Sequence, residues 1–208
     1  MKNIVKIIIV FFVSSSLVAG STCPVSSQEK RVRAKIGIQI RSGDRIMRAK
    51  SRDTLKAGDL FRIFVHPEET SHVYVVHTDH KTATLLNMVQ QKIQSSTLVM
   101  PSIQELYEVD GKSPIETVTI ICSPNELTGV MDILASGEAL YSRWAKLEDR
   151  LLERSKIDLS QEPERPFAIA GNVRGIGGTG NLDPFVSELQ IFSGKSILVK
   201  RYEFRVIR

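Results

Sequence analysis

The sequence predicts a mainly β protein: an antiparallel β-sandwich (Ig-like) with one packed α-helix near 138–154. The first observation is a series of short segments rich in β-branched and aromatic residues, separated by Gly, Asp and Pro residues that favour turns. The second is the segment 138–154, where Leu140, Trp144, Leu147 and Leu151 recur at helical spacing. We expect Trp144 to pack against a sheet rather than to bind a cofactor.

The middle of the chain contains five segments that predict strands. These segments are 60–65, 72–78, 82–86, 98–101 and 117–122. Because only a short turn separates 72–78 from 82–86, we expect these two strands to form a hairpin.

A second hairpin is predicted further along the chain. The segments 188–192 and 196–207 both have strand composition, and the turn Ser193-Gly194-Lys195 lies between them. We therefore expect these two segments to pair with each other.

Length and composition limit the class of protein. The chain has 208 residues, and 42% of them are hydrophobic. A chain of this length buries one sizeable core, so we expect a single β-rich domain over 31–208, preceded by a flexible tail over 22–30. The apolar fraction is too high for a disordered chain.

Residues 1–21 have the pattern of a secretory signal peptide. Lys2 and Lys6 accompany the apolar run 7–13, and small residues follow it up to a cleavage site after Ser21. We expect an exported protein of the periplasm or cell envelope, with no transmembrane span after cleavage. The alternatives are an uncleaved N-terminal anchor and a lipoprotein attached through Cys23, whose preceding residues fit the lipidation pattern poorly.

The chain contains two cysteines, Cys23 and Cys122. Export would permit a disulfide between them. Cys122 ends the apolar run 118–121, however, which favours a buried free thiol. The sequence leaves both alternatives open.

Positive charge is concentrated in one part of the chain. The formal net charge is +5, and residues 29–56 contain ten Lys or Arg but only three Asp or Glu. Within this segment Arg31, Arg33 and Lys35 alternate with apolar residues, which predicts a half-buried strand with a cationic outer face.

This cationic strand has two interpretations. It is either an edge strand whose charges deter aggregation, or a binding site in which Arg31, Arg33 and Lys35 contact an anionic envelope surface or an acidic protein. Nucleic acid is excluded as a partner, because the sequence has no recognition helix, no aromatic interleaving and no zinc-ligand pattern.

A glycine-rich segment, 171–181, matches the dinucleotide-binding pattern G-x-G-x-x-G at 175–180. That chemistry needs a helix directly after the glycines, and Asn181 to Pro184 leave room for about one turn. We therefore expect a loop and no cofactor.

Metal and catalytic sites are not expected. All four histidines lie within 66–80, but strand alternation directs His72 and His77 to opposite faces of a sheet. The motifs G-x-S-x-G and H-E-x-x-H are absent, so we expect a protein that is not an enzyme. The most suggestive carboxylates, Asp59 and Asp79, both occupy turns, where an Asp side chain usually bonds its own backbone.

The segments 58–65, 73–79 and 84–86 together resemble the DUF4384 family, a bacterial domain family of unknown function. A Gly-Asp turn leads into a strand, a Tyr-containing strand ends in Asp, a Leu-rich strand returns, and Pro101 follows. The resemblance covers residues 56–124 and departs from the family pattern at Asn87. It implies an exported or envelope-associated β-rich module, and it carries over no catalytic residues.

These observations predict an exported, non-enzymatic module that binds a protein or an anionic envelope partner. The alternative is a small-ligand-binding protein, or an unrecognised enzyme, that uses the loop 171–181. The residues of that alternative site are Asp79, His80, Arg174, Gly175 and Gly177.

Overall fold

A computed structural model of the protein describes residues 31–87, 92–94, 96–156 and 184–208. The predicted signal peptide, the tail with Cys23, and the glycine-rich loop with Arg174, Gly175 and Gly177 lie outside these residues. Within the described residues, two β-sheets pack face to face, and helices cover one of them. The predicted β-sandwich is therefore confirmed.

The first sheet, sheet A, contains six strands. The strands are β1 (Val32–Ser42), β2 (Arg45–Arg48), β4 (Leu60–Pro67), β8 (Leu98–Met100), β9 (Tyr107–Glu108) and β12 (Gln190–Gly194). Their order is β12-β1-β4-β8, with β2 paired to β1 and β9 paired to β4, and every pair is antiparallel.

The second sheet, sheet B, contains seven strands. The strands are β3 (Arg52–Lys56), β5 (Ser71–Thr78), β6 (Thr82–Leu85), β7 (Lys92–Ile93), β10 (Ile115–Ser123), β11 (Glu138–Leu140) and β13 (Leu198–Ile207). Their order is β11-β6-β5-β10-β13-β3, with β7 paired to β5. One pair, β13 with β3, is parallel, so the sandwich is mixed rather than purely antiparallel.

The core between the sheets follows the period-two pattern of the strands. In β1, the side chains of Ala34, Ile36, Ile38 and Ile40 are fully or almost fully buried, as their alternation predicts. They pack against the inner face of β10, which includes Cys122. The predicted burial of Cys122 is confirmed, and this burial raises the pKa of its thiol to about 12.

Two α-helices cover the outer face of sheet B. The first, α1 (Thr128–Leu134), is not signalled by the sequence pattern because it is short and buries only two apolar residues. The second, α2 (Tyr141–Ser155), places Trp144, Leu147 and Leu151 against the sheet. The prediction that Trp144 packs on a sheet is confirmed.

The start of the predicted helix is corrected by three residues. Residues 138–140 form β11, which pairs with β6, and α2 begins only at Tyr141. Leu140 has helical spacing from Trp144, but its side chain is 65% exposed. At residues 138–140, pairing with β6 therefore overrides the helical periodicity of the sequence.

Strand pairing confirms one predicted hairpin and contradicts the other. β5 and β6 pair as predicted. β12 instead pairs with β1 in sheet A, while β13 pairs with β10 and β3 in sheet B. The turn after β12 therefore carries the chain from one sheet to the other, because each strand buries its apolar face against a different partner.

Gly194 makes this crossing possible. A Cβ atom at Gly194 would lie 2.0 Å from the carbonyl oxygen of Ile197 and 2.7 Å from Cα of Leu198. Both atoms belong to the backbone, so neither can move aside by a side-chain rotation.

We predict that Gly194→Ala destabilises the fold by about 1–3 kcal/mol, because the added methyl group forces the crossing turn apart. Urea unfolding followed by circular dichroism measures this change. The control is Gly129→Ala in α1, where the nearest atom, Leu147 Cδ1, is 3.7 Å from the new Cβ. That variant should be as stable as the unmodified chain or more stable by up to about 1 kcal/mol. Equal stability of the two variants would contradict this account.

Candidate functional site

The outer faces of the two sheets differ in how they are covered. α1 and α2 lie over sheet B. Sheet A is crossed near its middle by a single-turn 3₁₀ helix, Pro184–Glu188, whose Phe185 ring packs on Phe64 with 5.0 Å between ring centroids. Elsewhere on this face, Arg33, Lys35 and Arg41 of β1 are exposed, whereas Arg62 of β4 is largely buried.

Gly37 allows the 3₁₀ helix to approach β1. A Cβ atom at Gly37 would lie 2.7 Å from Leu189 Cδ2 and 3.2 Å from Phe185 Cε1. Gly37 is thus the one interruption in the outward-facing series of β1, between Lys35 and Gln39. The 3₁₀ helix divides the outer face of sheet A into two regions.

The first region is an open groove of about 370 Å³. Two isoleucines in it are unusually accessible, since Ile46 is 60% exposed and Ile103 is 63% exposed. We call this region the arginine groove, and its lining residues are Gln39, Arg41, Ile46, Arg62, Ile103, Leu106 and Pro184.

Positive charge surrounds the arginine groove. Arg62 Nε donates to the carbonyl oxygen of Glu105 at 3.1 Å, and Arg48 Nη1 donates to the carbonyl oxygen of Glu188 at 3.0 Å. Both acceptors are backbone oxygens, and the one bonded to Arg48 positions that guanidinium group without neutralising it. Arg41 and Arg45 are exposed, and Arg41, Arg45 and Arg48 form no salt bridge within the described ranges.

The second region contains two of the three cations that the sequence analysis proposed as a binding site. Arg33 and Lys35 both project from the outer face of β1 and are exposed. Arg33 Nε lies 3.3 Å from a carboxylate oxygen of Glu68, so its charge is partly compensated. Arg31 precedes the first residue of β1 and is only half-exposed.

The description of Arg31, Arg33 and Lys35 as a cationic edge is wrong. β1 pairs with β4 on one side and with β12 and β2 on the other, so it lies inside sheet A. The cations occupy a sheet face, and the interpretation as an aggregation-blocking edge does not apply to β1. The physical reason is that β12 and the β1–β2 hairpin together occupy the side of β1 that the sequence leaves open.

Sequence reasoning missed the arginine groove itself. Gln39 and Arg41 continue the alternation of β1, so their outward direction was available from the pattern. The positions of Arg62 and Ile103 could not be predicted from the pattern. Arg62 reaches the groove because β4 pairs with β1, and Ile103 reaches it through the loop after β8.

Asp79 and His80, of the alternative site, form a structural turn. Asp79 Oδ1 accepts hydrogen bonds from the backbone N–H groups of Lys81 at 2.9 Å and Thr82 at 2.7 Å. His80 has a φ of 66° and its ring packs on Tyr141, with 4.8 Å between centroids. The carboxylate of Asp79 is thus committed to its own backbone, as predicted. Asp59 is held in the same way, since its Oδ2 accepts from the backbone N–H of Lys56 at 2.8 Å.

The hydrogen bonds to Asp79 favour its ionised form. Partial burial raises the pKa of this carboxyl, but the hydrogen bonds from Thr82 and Lys81 outweigh burial and leave the pKa below its usual value. The remaining members of the alternative site, Arg174, Gly175 and Gly177, lie outside the described residues, so the structure does not bring that site together.

The histidines are used in separate contacts. His77 Nε2 lies 3.4 Å from a carboxylate oxygen of Glu116, and His66 Nδ1 lies 3.1 Å from the hydroxyl of Thr97. His72 follows the opposite alternation of β5, as predicted. Among the residues that the structure describes, no three His, Cys, Asp or Glu side chains come together as metal ligands.

One buried carboxylate lies under α2. Glu148 is only 2% exposed, accepts a hydrogen bond from the Thr119 hydroxyl, and has an oxygen 3.7 Å from Arg201 Nη1. No prediction from the sequence identified Glu148 as a buried carboxylate. Glu148 lies one helical turn from Trp144, and this spacing was the signal that could have predicted its burial. The positive charge of Arg201 stabilises a carboxylate at that buried position.

Comparisons with family models, curated proteins and solved structures gave no match to this chain. The resemblance to the DUF4384 family therefore stays a prediction. Within the described residues, no helix has both the length and the apolar character needed to cross a membrane.

We predict that Asp79→Ala destabilises the protein at neutral pH by about 1 kcal/mol, because two backbone donors lose their acceptor. The folded-state pKa of Asp79 is lowered, so its stabilising effect is present above the unfolded-state pKa of about 4 and disappears as the pH falls through the folded-state value. The stability difference between the variant and the unmodified chain should therefore shrink below pH 4.

Urea unfolding between pH 2.5 and pH 7 measures this difference. Asp44→Ala is the matched control, because Asp44 lies in an exposed turn and accepts no hydrogen bond from the described residues. A difference for Asp79→Ala that stays constant with pH would contradict the structural role of its ionised form.

Proposed function

We propose that this chain is an exported, non-enzymatic β-sandwich module that binds an anionic partner through the outer face of sheet A. The observation that carries the proposal is the arginine groove, where accessible isoleucines lie beside Arg41 and Arg48, neither of which forms a salt bridge with the described residues. Arginine and apolar side chains are enriched at protein interfaces, and exposed apolar patches mark interaction sites.

Uncompensated charge supports an anionic partner. Arg41 and Arg48 stand on adjacent strands of the β1–β2 hairpin, and the register directs both to the same face as Ile46. Their mutual repulsion would be relieved by a bound carboxylate or phosphate. A negatively charged partner is also attracted from a distance by such a field.

The exposed side of α2 provides a contrast. It carries both signs in close sequence, with basic Arg143, Lys146, Arg150 and Arg154 beside acidic Asp149 and Glu153. The acidic side chains partly offset the basic ones on this face. Such a mixed surface is typical of a solvated helix face.

The shape of the groove favours a macromolecule over a small ligand. Small-molecule sites enclose most of the ligand surface. Ile46 and Ile103 remain more than half exposed, so the groove is open along its length and presents its apolar side chains outward. A macromolecular partner would cover these side chains and supply the anionic groups.

Export is the part of the proposal that rests on the sequence alone. The pattern of residues 1–21 supports it, and the resemblance to the DUF4384 family points the same way. Neither is needed for the argument that assigns the binding surface.

We predict that a photo-crosslinking residue at position 103 captures a partner in the native cell envelope, whereas the same residue at position 140 does not. Ile103 and Leu140 are matched in accessibility, at 63% and 65% exposed, but only Ile103 lies in the arginine groove. The measurement is the yield and mass of crosslinked adducts after irradiation of cells that express the full chain.

The charge dependence is tested in the same experiment. Arg41→Glu should remove most of the adduct at position 103, because Arg41 lines the arginine groove, and Arg143→Glu on α2 should leave the adduct unchanged. Equal adducts from positions 103 and 140, or an adduct insensitive to the charge reversal, would refute the proposed surface.

A further inference from the structure

We propose that β2 is a docking strand, to which an acidic, extended segment of a partner protein adds as a further strand of sheet A. This inference rests on the proposed function and specifies how the partner is recognised. It follows from the hydrogen-bonding geometry of β2 and from the order of its four side chains.

β2 has a side on which no strand pairs. On its inner side it pairs with β1, and its register runs from Arg45 opposite Ser42 to Arg48 opposite Gln39. β12 pairs with the earlier half of β1, so β2 and β12 lie end to end along β1. In the part of the chain that the structure describes, β2 has no second neighbour.

The direction of each amide in β2 can be assigned. The backbone N–H of Ala49 donates to the carbonyl oxygen of Ile38 at 2.8 Å and continues the ladder of this hairpin. Because amide directions alternate along a strand, Arg45 and Met47 also point their amides to β1. The N–H and C=O groups of Ile46 and Arg48 therefore point away from the sheet, where an added strand would meet them.

Exposed side chains distinguish β2 from a simply protected edge. Natural edge strands are commonly guarded by charged residues, and Arg45 and Arg48 could serve that purpose alone. Between them, however, Ile46 is 60% exposed and Met47 is 43% exposed. A strand that only repels neighbours gains nothing from two accessible apolar side chains. A docking strand uses them as contacts, and its arginines select the partner by charge.

The order of side chains specifies the partner sequence. Directly opposed residues on neighbouring strands interact, and opposite charges or two apolar side chains are favourable pairs. Opposite Arg45, Ile46, Met47 and Arg48, the best partner is acidic, apolar, apolar, acidic. This pattern reads the same in both directions, so it fits a parallel or an antiparallel added strand.

A protein segment fits these features better than a membrane surface. An anionic lipid surface would be attracted by the arginines, but it has no backbone to pair with the outward groups of Ile46 and Arg48. The experiment must therefore test backbone hydrogen bonding between β2 and the partner segment. Binding to anionic vesicles instead of a peptide is the alternative outcome.

The test uses the full chain and a fluorescein-labelled octapeptide with Glu-Val-Val-Glu at its centre, measured by fluorescence anisotropy. We expect binding that is about tenfold tighter than for a peptide with Lys-Val-Val-Lys at its centre, since two favourable charge pairs become repulsive. A peptide with N-methylated central valines keeps its side chains but loses the valine N–H group that would donate to β2. It should bind about tenfold more weakly.

Charge exchange provides the decisive variant. Arg45→Glu with Arg48→Glu should reverse the preference, so that the Lys-Val-Val-Lys peptide binds more tightly than the Glu-Val-Val-Glu peptide. Arg48 also donates to Glu188, so Arg45→Glu alone, with thermal unfolding as a check, gives a second variant that leaves this bond intact. Arg143→Glu with Arg154→Glu on α2 is the matched control and should change neither affinity.

Equal affinity of the N-methylated and unmodified peptides would overturn strand addition. So would retention on vesicles of anionic phospholipid with no preference among the peptides. Either result, together with a charge-dependent adduct at position 103, would leave the proposed surface in place. Loss of that adduct would instead remove the proposed function itself.

Discussion

The strand β10 is buried on both of its faces, and the arrangement of the other elements follows from that constraint. Its inner face packs on sheet A, and its outer face, with Ile121 and Thr119, needs a second cover. α1 and α2 supply that cover, so sheet B lies in the middle of the molecule as a sheet between two layers. Among the described residues, only the 3₁₀ helix Pro184–Glu188 lies over the outer face of sheet A, so side chains such as Arg33, Lys35 and Arg41 are exposed there.

The parts of the fold that the sequence predicted are those set by local pattern. The β5–β6 hairpin depends on a short turn and on adjacent strands, and the buried face of α2 depends on a repeat of Trp144, Leu147 and Leu151. The pairing of β12 depends instead on β1, a strand at the other end of the domain. No local signal separates that choice from a hairpin with β13, because the turn at Gly194 is compatible in sequence with both.

In the candidate site, too, some features follow from local sequence pattern and others arise only from tertiary structure. Alternation along β1 was sufficient to direct Arg33 and Lys35 outward, but it could not show that β1 lies inside a sheet. The arginine groove joins side chains from β1, β2, β4 and the loop after β8, so its residues become neighbours only through tertiary structure. The case of Glu148 is similar, since a buried carboxylate is tolerated there only because Arg201 and Thr119 come to it from two strands.

The proposed binding at the exposed face of sheet A, with β2 as its docking strand, can be followed by amide hydrogen exchange. The full chain is measured with and without the Glu-Val-Val-Glu peptide, and exchange is resolved by residue. We expect slower exchange at the amides of Ile46 and Arg48, which point away from β1, and unchanged exchange over Tyr141–Ser155 in α2. Protection confined to α2, or equal exchange at Ile46 and Arg48 with and without peptide, would contradict it.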